Sequence, residues 1–526
     1  MSTEPPPLNR FFANTLLGAE ASKESVEFLS LLMQSARQGD LCLHHRGRIP
    51  LPSHLITEGD DLFPKTPIVK QGDRVYLQKN WVLETVLLQH IERLWRRTRP
   101  PFYDPVAFDG ALRVAGHLLP EQKGAVQAAF HHPFTLIYGG PGTGKTYVAG
   151  WLVRGLIAAW NRTLKQRLHI VLAAPTGKAA LHLESAILAQ GDLDPIVRCE
   201  AMTLHRLLRL QPGSMQLFTG RCIDADIIVV DEASMIDSGL FAHLLESVRE
   251  DTHLVLLGDP HQLPPVGMGG IFAECAEPLG IHLQHCMRTQ ETLLLEIARA
   301  IREGDAEGFL SAAPSLGRVD DTLIDHLYER VQPLMTSTPL EAAYCLEYYQ
   351  KFRLLDALRQ GPFGSEAINR RILERMQKQC RPGDWWAVPI LVTGRAAQGD
   401  LYNGVSGVLI GQKPEGLQSL KGKAYFAKGQ ETLTPPSFAV AFCLSIHKAQ
   451  GSEFDGIVAL FPPGSEHFGR EALYTAATRA KKRWEFAGDP EILQCMLALK
   501  TGRISGLAQR LAESRCERRD FVRAAF

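Results

Sequence analysis

The sequence predicts an α/β protein carrying two parallel-sheet units. From about residue 120, short continuous apolar runs alternate with longer stretches of helical periodicity, as strands buried on both faces and separated by crossover helices require. The alternation returns from about 341 to 500, after a helical, connecting stretch at 291–340. A third observation fixes the first unit: Gly139-Gly140-Pro141-Gly142-Thr143-Gly144-Lys145-Thr146 is a complete phosphate-binding loop, set between an apolar run and an amphipathic segment.

The elements follow in order. Residues 1–115 read as a small, mostly helical unit. Apolar residues recur at helical spacing over 22–38 and stop near Gly39, a turn at Gln71-Gly72-Asp73 leads into a short strand at 75–77, and a second helical stretch covers 81–95. The basic run Arg96-Arg97-Thr98-Arg99-Pro100-Pro101 reads as a solvated linker. Buried strands are expected at 135–138, 170–174, 227–230 and 253–257. Residues 385–440 differ from their surroundings. They hold many glycines, Trp385-Trp386, and β-like runs at 406–410 and 423–426, which predicts a small β-barrel inserted into the second α/β unit. The end, 505–526, reads as a basic, helix-like tail.

Composition narrows the class. The 526 residues suffice for three or four domains at about 150 residues each. Lys and Arg total 57, as do Asp and Glu, so a histone-like polycation is excluded while a local basic groove for nucleic acid is not. The ten cysteines form no Cys-x-x-Cys pair, which argues against a zinc ribbon or disulfide framework and fits a reduced, cytoplasmic setting. The start is polar and Pro-rich, and no apolar run approaches the roughly 18 residues of a membrane span, so neither a signal peptide nor a membrane partner is expected.

The chemistry begins at the loop. Glycines at 139, 140, 142 and 144, with Pro141 and Thr143 between them, let backbone N–H groups close around phosphates at the positive end of a helix. Lys145 would neutralise the β- and γ-phosphates of ATP, and the Thr146 hydroxyl would hold Mg²⁺. About 85 residues on, the apolar run 227–230 ends in Asp231-Glu232, which places two acids at the carboxyl edge of the sheet beside the loop. Asp231 would bind Mg²⁺ through water, and Glu232 would orient or deprotonate the attacking water. The next strand ends in Gly258-Asp259-Pro260-His261-Gln262-Leu263-Pro264-Pro265, where Gln262 is placed to sense the γ-phosphate.

These motifs, with Ala174-Pro175-Thr176-Gly177-Lys178-Ala179-Ala180, Thr203-Leu204-His205-Arg206-Leu207-Leu208, Ser445-Ile446-His447-Lys448-Ala449-Gln450-Gly451-Ser452-Glu453-Phe454-Asp455 and Tyr474-Thr475-Ala476-Ala477-Thr478-Arg479-Ala480, resemble superfamily 1 helicases of the 5′→3′ branch. The chain is most similar to the RecD family, the α subunit of exodeoxyribonuclease V. The likeness is strong over 120–490. It extends to Arg37–Leu43, to Gly72–Leu77 with Trp81 and Glu84, to Phe352–Gly364, and to Tyr402-Asn403-Gly404-Val405-Ser406-Gly407, which is similar to the entry of the family's SH3-like barrel.

The resemblance implies two RecA-like motor domains, 116–340 and 341–526, an SH3-like β-barrel at about 385–440, and an N-terminal partner-docking domain at 1–115. It implies ATP-dependent 5′→3′ translocation on single-stranded DNA and action on duplex-end DNA, in a heterotrimer with RecB-like and RecC-like subunits, the nuclease lying in another subunit. It assigns Gln122 to the adenine edge and Arg288 and Arg479 to arginine fingers. Pro175, Thr176, Thr203 and His205 in the first motor domain, with Thr393, His447 and Lys448 in the second, become strand-contacting positions. Hydroxyls, backbone amides and neutral histidines at such positions grip phosphates without reading sequence. Lys178 is equally a surface lysine of its helix. Three alternatives stay open: a stand-alone RecD-like helicase, a non-motor ATP-sensing subunit, and an RNA helicase.

Overall fold

The computed structural model describes residues 7–18, 22–59, 61–114, 117–163, 165, 167–191, 193–194, 197–210, 220–286, 292–331, 334–393, 404–412, 422–426, 431–432 and 437–514. The first α/β unit is a six-stranded sheet in the order Ile281–Leu283, Phe134–Gly139, His253–Gly258, Ile227–Val230, His169–Ala174, Arg198–Thr203. Every neighbouring pair is parallel. Strands 227–230 and 253–258 are buried throughout, as continuous apolar runs between two helical layers demand. Register pairs Ile137 with Leu257 and Val229 with Val255, so Gly139, Asp231 and Asp259 emerge at one carboxyl edge. The strand before the phosphate loop sits inside the sheet, between 253–258 and 281–283, where neighbouring loops diverge and leave a crevice.

The second α/β unit is a four-stranded, all-parallel sheet in the order Cys443–Ser445, Phe352–Asp356, Phe454–Phe461, Ala480–Gly488. Between the helix Ser365–Gln379 and the strand 443–445, where the sequence predicts the insert, the chain forms antiparallel strands that an earlier strand, Leu334–Thr336, joins at one side. The order of this sheet is Leu334–Thr336, Trp385–Val392, Ser406–Gln412, Lys423–Phe426, Glu431–Thr432, with Phe438–Val440 also pairing 385–392. Among the described residues these strands trace an open sheet, with no pairing that closes a barrel. Trp386 and Val388 share a core with Leu354, Val458 and Leu460, so the insert is fused to the second unit.

Packing moves two expected boundaries. The helices Thr292–Glu303 and Ala306–Ala312 bring Leu294, Ile297, Ile301 and Phe309 into the second unit's core, and Asp321–Val331 brings Leu323, Ile324 and Leu327 into the core shared with the insert. The stretch 292–340 therefore belongs with the second sheet. At the other end, Leu507 and Leu511, in the helical stretch 507–514, lie in the first unit's core beside Leu83 and Leu87. The last described residues return to the front of the molecule and do not extend the second unit. An amphipathic helix fixes which face it buries but not which core it covers, so neither assignment is written in the local sequence.

The N-terminal unit is more than helical. A four-stranded sheet, Cys42–His44, Arg74–Leu77, Ile68–Gln71, Ile56–Glu58, is flanked by the helices Pro7–Leu17, Lys23–Gln38 and Gln78–Trp95. Strands of three or four residues are too short to show alternation, which is why the sequence reading found only one. The helix 23–38 begins where expected, with Ser22 Oγ accepting from Ser25 N at 3.1 Å, and stops at Gly39, whose φ of 100° a side chain would oppose. The helix 78–95 is part of the first motor core: Leu83, Leu87, Ile91 and Leu94 pack with Leu136, Ile228 and Leu254. The basic run after it is docked in part, through Arg97 and Arg99, while Arg96 and Thr98 stay exposed. Arg97 donates to the carbonyls of Arg249 and Glu250, and burial lowers its guanidinium pKa to about 10.

Candidate nucleotide and DNA sites

The phosphate loop leaves the strand 134–139 and opens the helix Lys145–Ala159. Gly142 and Gly144 have φ of 74° and 84°, a region glycine enters freely. A Cβ on Gly144 would lie 2.6 Å from Gln122 Nε2, and one on Gly139 would lie 2.5 Å from the Leu283 carbonyl oxygen. Thr143 Oγ1 donates to the Gly140 carbonyl at 2.9 Å and closes the turn. Lys145 Nζ donates to the Gly139 and Gly140 carbonyls at 2.8 and 2.9 Å, which lays the ammonium along the loop where a phosphate would meet it.

Gln122 is buried, and both ends of its amide are engaged. Its Oε1 accepts from Leu119 N at 3.2 Å, and its Nε2 donates to the Thr143 carbonyl at 3.1 Å. In this geometry it braces the loop against the start of the helix Pro120–His131. Glu121 beside it accepts from the backbone N–H of His285 and of Gln284, at 2.9 and 3.3 Å.

The acids stand where the sheet puts them. Asp231 is buried and accepts from Glu232 N at 2.8 Å. Burial, and then the charge of Glu232, raise its pKa to about 7, against the opposing pull of Lys145 and a hydrogen bond from Thr146. Glu232 adopts φ 52°, ψ 40°, a left-handed conformation uncommon outside glycine and one that collects at functional sites.

The second unit completes the cleft. Arg479, buried at the end of the helix Gly469–Ala477, brings Nη1 to 3.8 Å from Glu232 Oε1 and donates from Nη2 to Thr478 Oγ1 at 3.3 Å. Tyr474 donates to Asp259 Oδ2 at 3.0 Å, and Leu263 N donates to Thr475 Oγ1 at 2.8 Å. Gln262 is buried between these contacts, and its Oε1 has no partner among the described residues. A cavity of about 530 Å³ runs from Pro141, Lys145 and Thr146 past Asp231, Glu232 and Gln262 to Arg479. Arg288, the other expected finger, lies outside the described residues.

Apart from Thr393, the expected DNA contacts lie at the carboxyl ends of the two parallel sheets. Pro175 and Thr176 follow the strand 169–174, Thr203 ends the strand 198–203, and His447 and Lys448 follow the strand 443–445. Two of the hydroxyls are already capping helices: Thr176 Oγ1 accepts from Ala179 N and Thr203 Oγ1 from Arg206 N, each at 3.3 Å. His205, Lys448 and Thr393 are exposed. Lys448 lines a 270 Å³ hollow with Arg359, Arg370 and Ser445, while Thr393 sits at the insert, its N–H on the Ser437 carbonyl at 2.8 Å. His447 is partly buried, and its pKa is lowered by desolvation and then by Arg503.

Comparison with known proteins places this geometry. Residues 122–268 match the family model described as an AAA domain, and residues 440–484 match that of the UvrD-like helicase C-terminal domain. The RecD subunit of the RecBCD enzyme from Mycolicibacterium smegmatis is 32% identical over 537 residues, covering 94% of this chain and 95% of that protein. The chain belongs to the RecD family. The Haemophilus influenzae RecD subunit is 26% identical over 88% of this chain and 84% of that protein. The ATP-dependent RecD2 DNA helicase of Deinococcus radiodurans is 25% identical over 72% of this chain and 50% of that protein. A Bacteroides Pif1 helicase structure with ADP-AlF3 and single-stranded DNA shares 16% identity, with a TM-score of 0.43, over 73% of this chain and 95% of that one. This RecD-family chain is an ATP-dependent DNA helicase with the parallel-sheet α/β motor fold.

Some residues of this helicase were not legible as site residues. The motif that ends in Arg479 gives Tyr474 and Thr475 no role, yet they hold Asp259 and Leu263 across the cleft. Lys178 is no surface lysine: Nζ donates to Ser452 Oγ at 2.9 Å, from the first unit to the second, and burial followed by Arg353 lowers its pKa to about 8. Its ammonium and the Arg353 guanidinium both face the Phe454 ring, at 6.0 and 5.1 Å from the centroid. A lysine two residues from a helix cap carries no sign of the partner domain that will cover it.

Proposed function

We propose that this helicase is a 5′→3′ single-stranded-DNA translocase and the motor subunit of a RecBCD-like helicase–nuclease, acting on duplex ends in recombinational repair of double-strand breaks. The observation that supports the motor reading is the Arg479–Glu232 approach at 3.8 Å. The residue expected to stabilise charge on the γ-phosphate and the residue expected to handle the attacking water come from different sheets. The site is then whole only when the cleft is closed, and losing the γ-phosphate removes what both walls hold.

The residues divide the work. Glycines 139, 140, 142 and 144, with Pro141 and Thr143, wrap the phosphates. Lys145 moves from two loop carbonyls to the β- and γ-oxygens. Thr146 and Asp231 would hold Mg²⁺, which supplies charge neutralisation at the phosphates when bound. The fit rests on the donor set, a buried carboxyl at Asp231, raised to about 7 by burial and then by the charge of Glu232, beside the Thr146 hydroxyl at the phosphate loop. Glu232 orients or deprotonates the water, Gln262 senses the γ-phosphate, and Arg479 offsets charge in the transition state, with Arg288 as the second finger. Gln122 serves the adenine edge by fixing the loop beside it.

DNA crosses the carboxyl ends of both sheets, touching Pro175, Thr176, Thr203 and His205 on one, His447 and Lys448 on the other, and Thr393 at the insert beside it. With two threonine hydroxyls committed to caps, the free N–H groups of those helix starts carry the phosphate contacts. RecB-like and RecC-like partners dock on the N-terminal unit, within 1–115. Its helices expose Leu8, Phe11, Phe12, Leu16 and Leu31, an apolar surface apart from the ATPase motifs. The antiparallel insert stands where an SH3-like module is expected. Among the described residues no helix is long and apolar enough to cross a membrane.

The test is translocation on single strands of each polarity, with and without co-purified partners. Movement toward the 3′ end that requires ATP supports the reading. Movement toward the 5′ end, or ATP turnover indifferent to DNA, rejects it.

A further inference from the structure

The chain beyond the helix Pro490–Ala498 carries no recognised motif, yet it crosses from the second unit to the first motor unit and the N-terminal unit. The second unit holds its start: Arg470 N donates to the Leu499 carbonyl at 3.0 Å, and Thr501 donates from N and Oγ1 to Glu471 Oε2 at 3.0 and 2.7 Å. Glu471 lies on the helix 469–477 that also presents Tyr474 and Thr475. Two residues on, Arg503 touches the other two units together. Its guanidinium donates to the Gln38 carbonyl of the N-terminal unit and, at 3.2 Å, to the Pro265 carbonyl of the first motor unit. The next residue is fixed from both sides, Ile504 N donating to Asp40 Oδ1 at 3.0 Å and Leu41 N donating to the Ile504 carbonyl at 2.8 Å.

Pro265 belongs to the loop 259–270, which carries Asp259 and Gln262. The front of that loop is held by the second unit, through Tyr474 and Thr475. Its back is held by the N-terminal unit, Gly269 N donating to the Gly39 carbonyl at 2.7 Å, and by Arg503. Gly39 has no room for a side chain: a Cβ there would lie 2.8 Å from Arg503 Cζ and 3.1 Å from the Gly267 carbonyl oxygen. A cation with donors in a planar fork bridges two carbonyls on separate units, a task suited to arginine.

We propose that Arg503 is a positioning residue for ATP hydrolysis: it fixes the back of the 259–270 loop, so that Asp259 and Gln262 meet the second unit in register, and it ties that loop to the N-terminal unit. The inference rests on the reading of the cleft as a DNA-stimulated ATPase. The strap between Glu471 and Asp40 makes closure of the cleft depend on a surface remote from the nucleotide. Any displacement of the N-terminal unit is passed to Gln262 without touching the phosphate loop.

The test uses the full chain, with any partners that co-purify, and compares Arg503→Ala, Arg503→Lys and Asp40→Ala. Wild-type turnover with single-stranded DNA is measured first; a wild type that does not hydrolyse ATP rejects the motor reading and not this inference alone. With an active wild type, Arg503→Ala is expected to lower kcat about ten- to a hundred-fold, the scale of a catalytic group misplaced by about an ångström. The ATP KM should stay within about twofold, because the phosphate loop is untouched. Arg503→Lys should fall between, keeping the charge and losing the fork, and Asp40→Ala should lower kcat in the same direction. Hydrogen exchange at Leu263 and Gly269 should speed up in Arg503→Ala. Unchanged kcat in Arg503→Ala overturns the proposal. So does a loss of kcat that disappears on cooling well below the unfolding temperature, since it would mark a merely structural role.

Discussion

Replacing Arg510 with Met tests what holds the C-terminal strap to the front of the molecule. Arg510 Nη1 lies 3.1 Å from Glu84 Oε1, with Glu84 fully buried and Arg510 nearly so. At that separation the attraction is about 5 kcal/mol for an effective dielectric of about 20, before desolvation is subtracted. Arg510 also donates to Thr85 Oγ1 at 2.9 Å and lies 4.2 Å from the centroid of Trp81. Glu84 keeps two other donors in the variant, Tyr76 Oη at 3.1 Å and Gly506 N at 2.9 Å, so its charge is stranded but not naked. Breaking one side of a buried pair costs about 3–5 kcal/mol, and we take about 4 here because those donors remain. The assay is hydrogen exchange at Leu507, whose N–H donates to Ser505 Oγ at 3.0 Å. A local destabilisation of about 4 kcal/mol corresponds to roughly 10³-fold less protection. Glu84→Leu combined with Arg510→Met should recover only part of it, because removing both charges is offset by leaving Tyr76 Oη and Gly506 N without their acceptor. Less than a tenfold change in Arg510→Met would refute the reasoning and make the pair incidental to the strap.

Four further outcomes follow from the cleft. Lys145→Ala is expected to abolish ATP hydrolysis with the fold retained, and Glu232→Gln to keep nucleotide binding while losing turnover; normal turnover in Glu232→Gln removes that residue from the chemistry. Burial, then Arg353, holds Lys178 at a pKa of about 8, below its ordinary 10.5, with Glu453 opposing and Lys481 adding to the lowering. Lys178 is charged and bonded to Ser452 below about pH 8, so DNA-stimulated turnover should fall on the alkaline side near that pH, and Lys178→Met should lack this limb. The sign for stability is opposite: between about 8 and 10.5 the unfolded chain binds the extra proton, so this group's penalty at neutral pH is relieved as pH rises. ATPase activity should rise with single-stranded DNA and fall steeply with salt, since phosphate contacts release counterions; a rate indifferent to DNA would favour the ATP-sensing alternative.

What was legible in the sequence was local. The phosphate loop, Asp231-Glu232 and Gly258–Pro265 each announce a strand, a turn and the residues on it, and parallel pairing then brings their ends to one edge. The helix at 23–38 was readable to within a residue, as helical spacing over 22–38 that stops near Gly39, because periodicity and an αL glycine are local signals. What depends on distant packing was not. The apolar stripe of 292–303 covers the second core, Leu507 and Leu511 travel back to the first, and Arg97 finds carbonyls some 150 positions away. Gln122 and Lys178 show the same limit within the site. Their types were noticed, but the loop brace of one and the domain-crossing bond of the other exist only once the chain is folded. The strands 42–44 and 56–58 escaped notice because three residues show no period.

The central claim is that the ATP site is shared between two sheets and completed by Arg479. The most direct measurement is steady-state turnover of Arg479→Ala with saturating single-stranded DNA, alongside nucleotide affinity. The expected result is a kcat lower by about 10³-fold or more, the scale of an arginine finger, with ATP affinity preserved because Lys145 and the loop are untouched. Turnover equal to that of the unaltered chain would contradict the claim and place Arg479 outside the reaction.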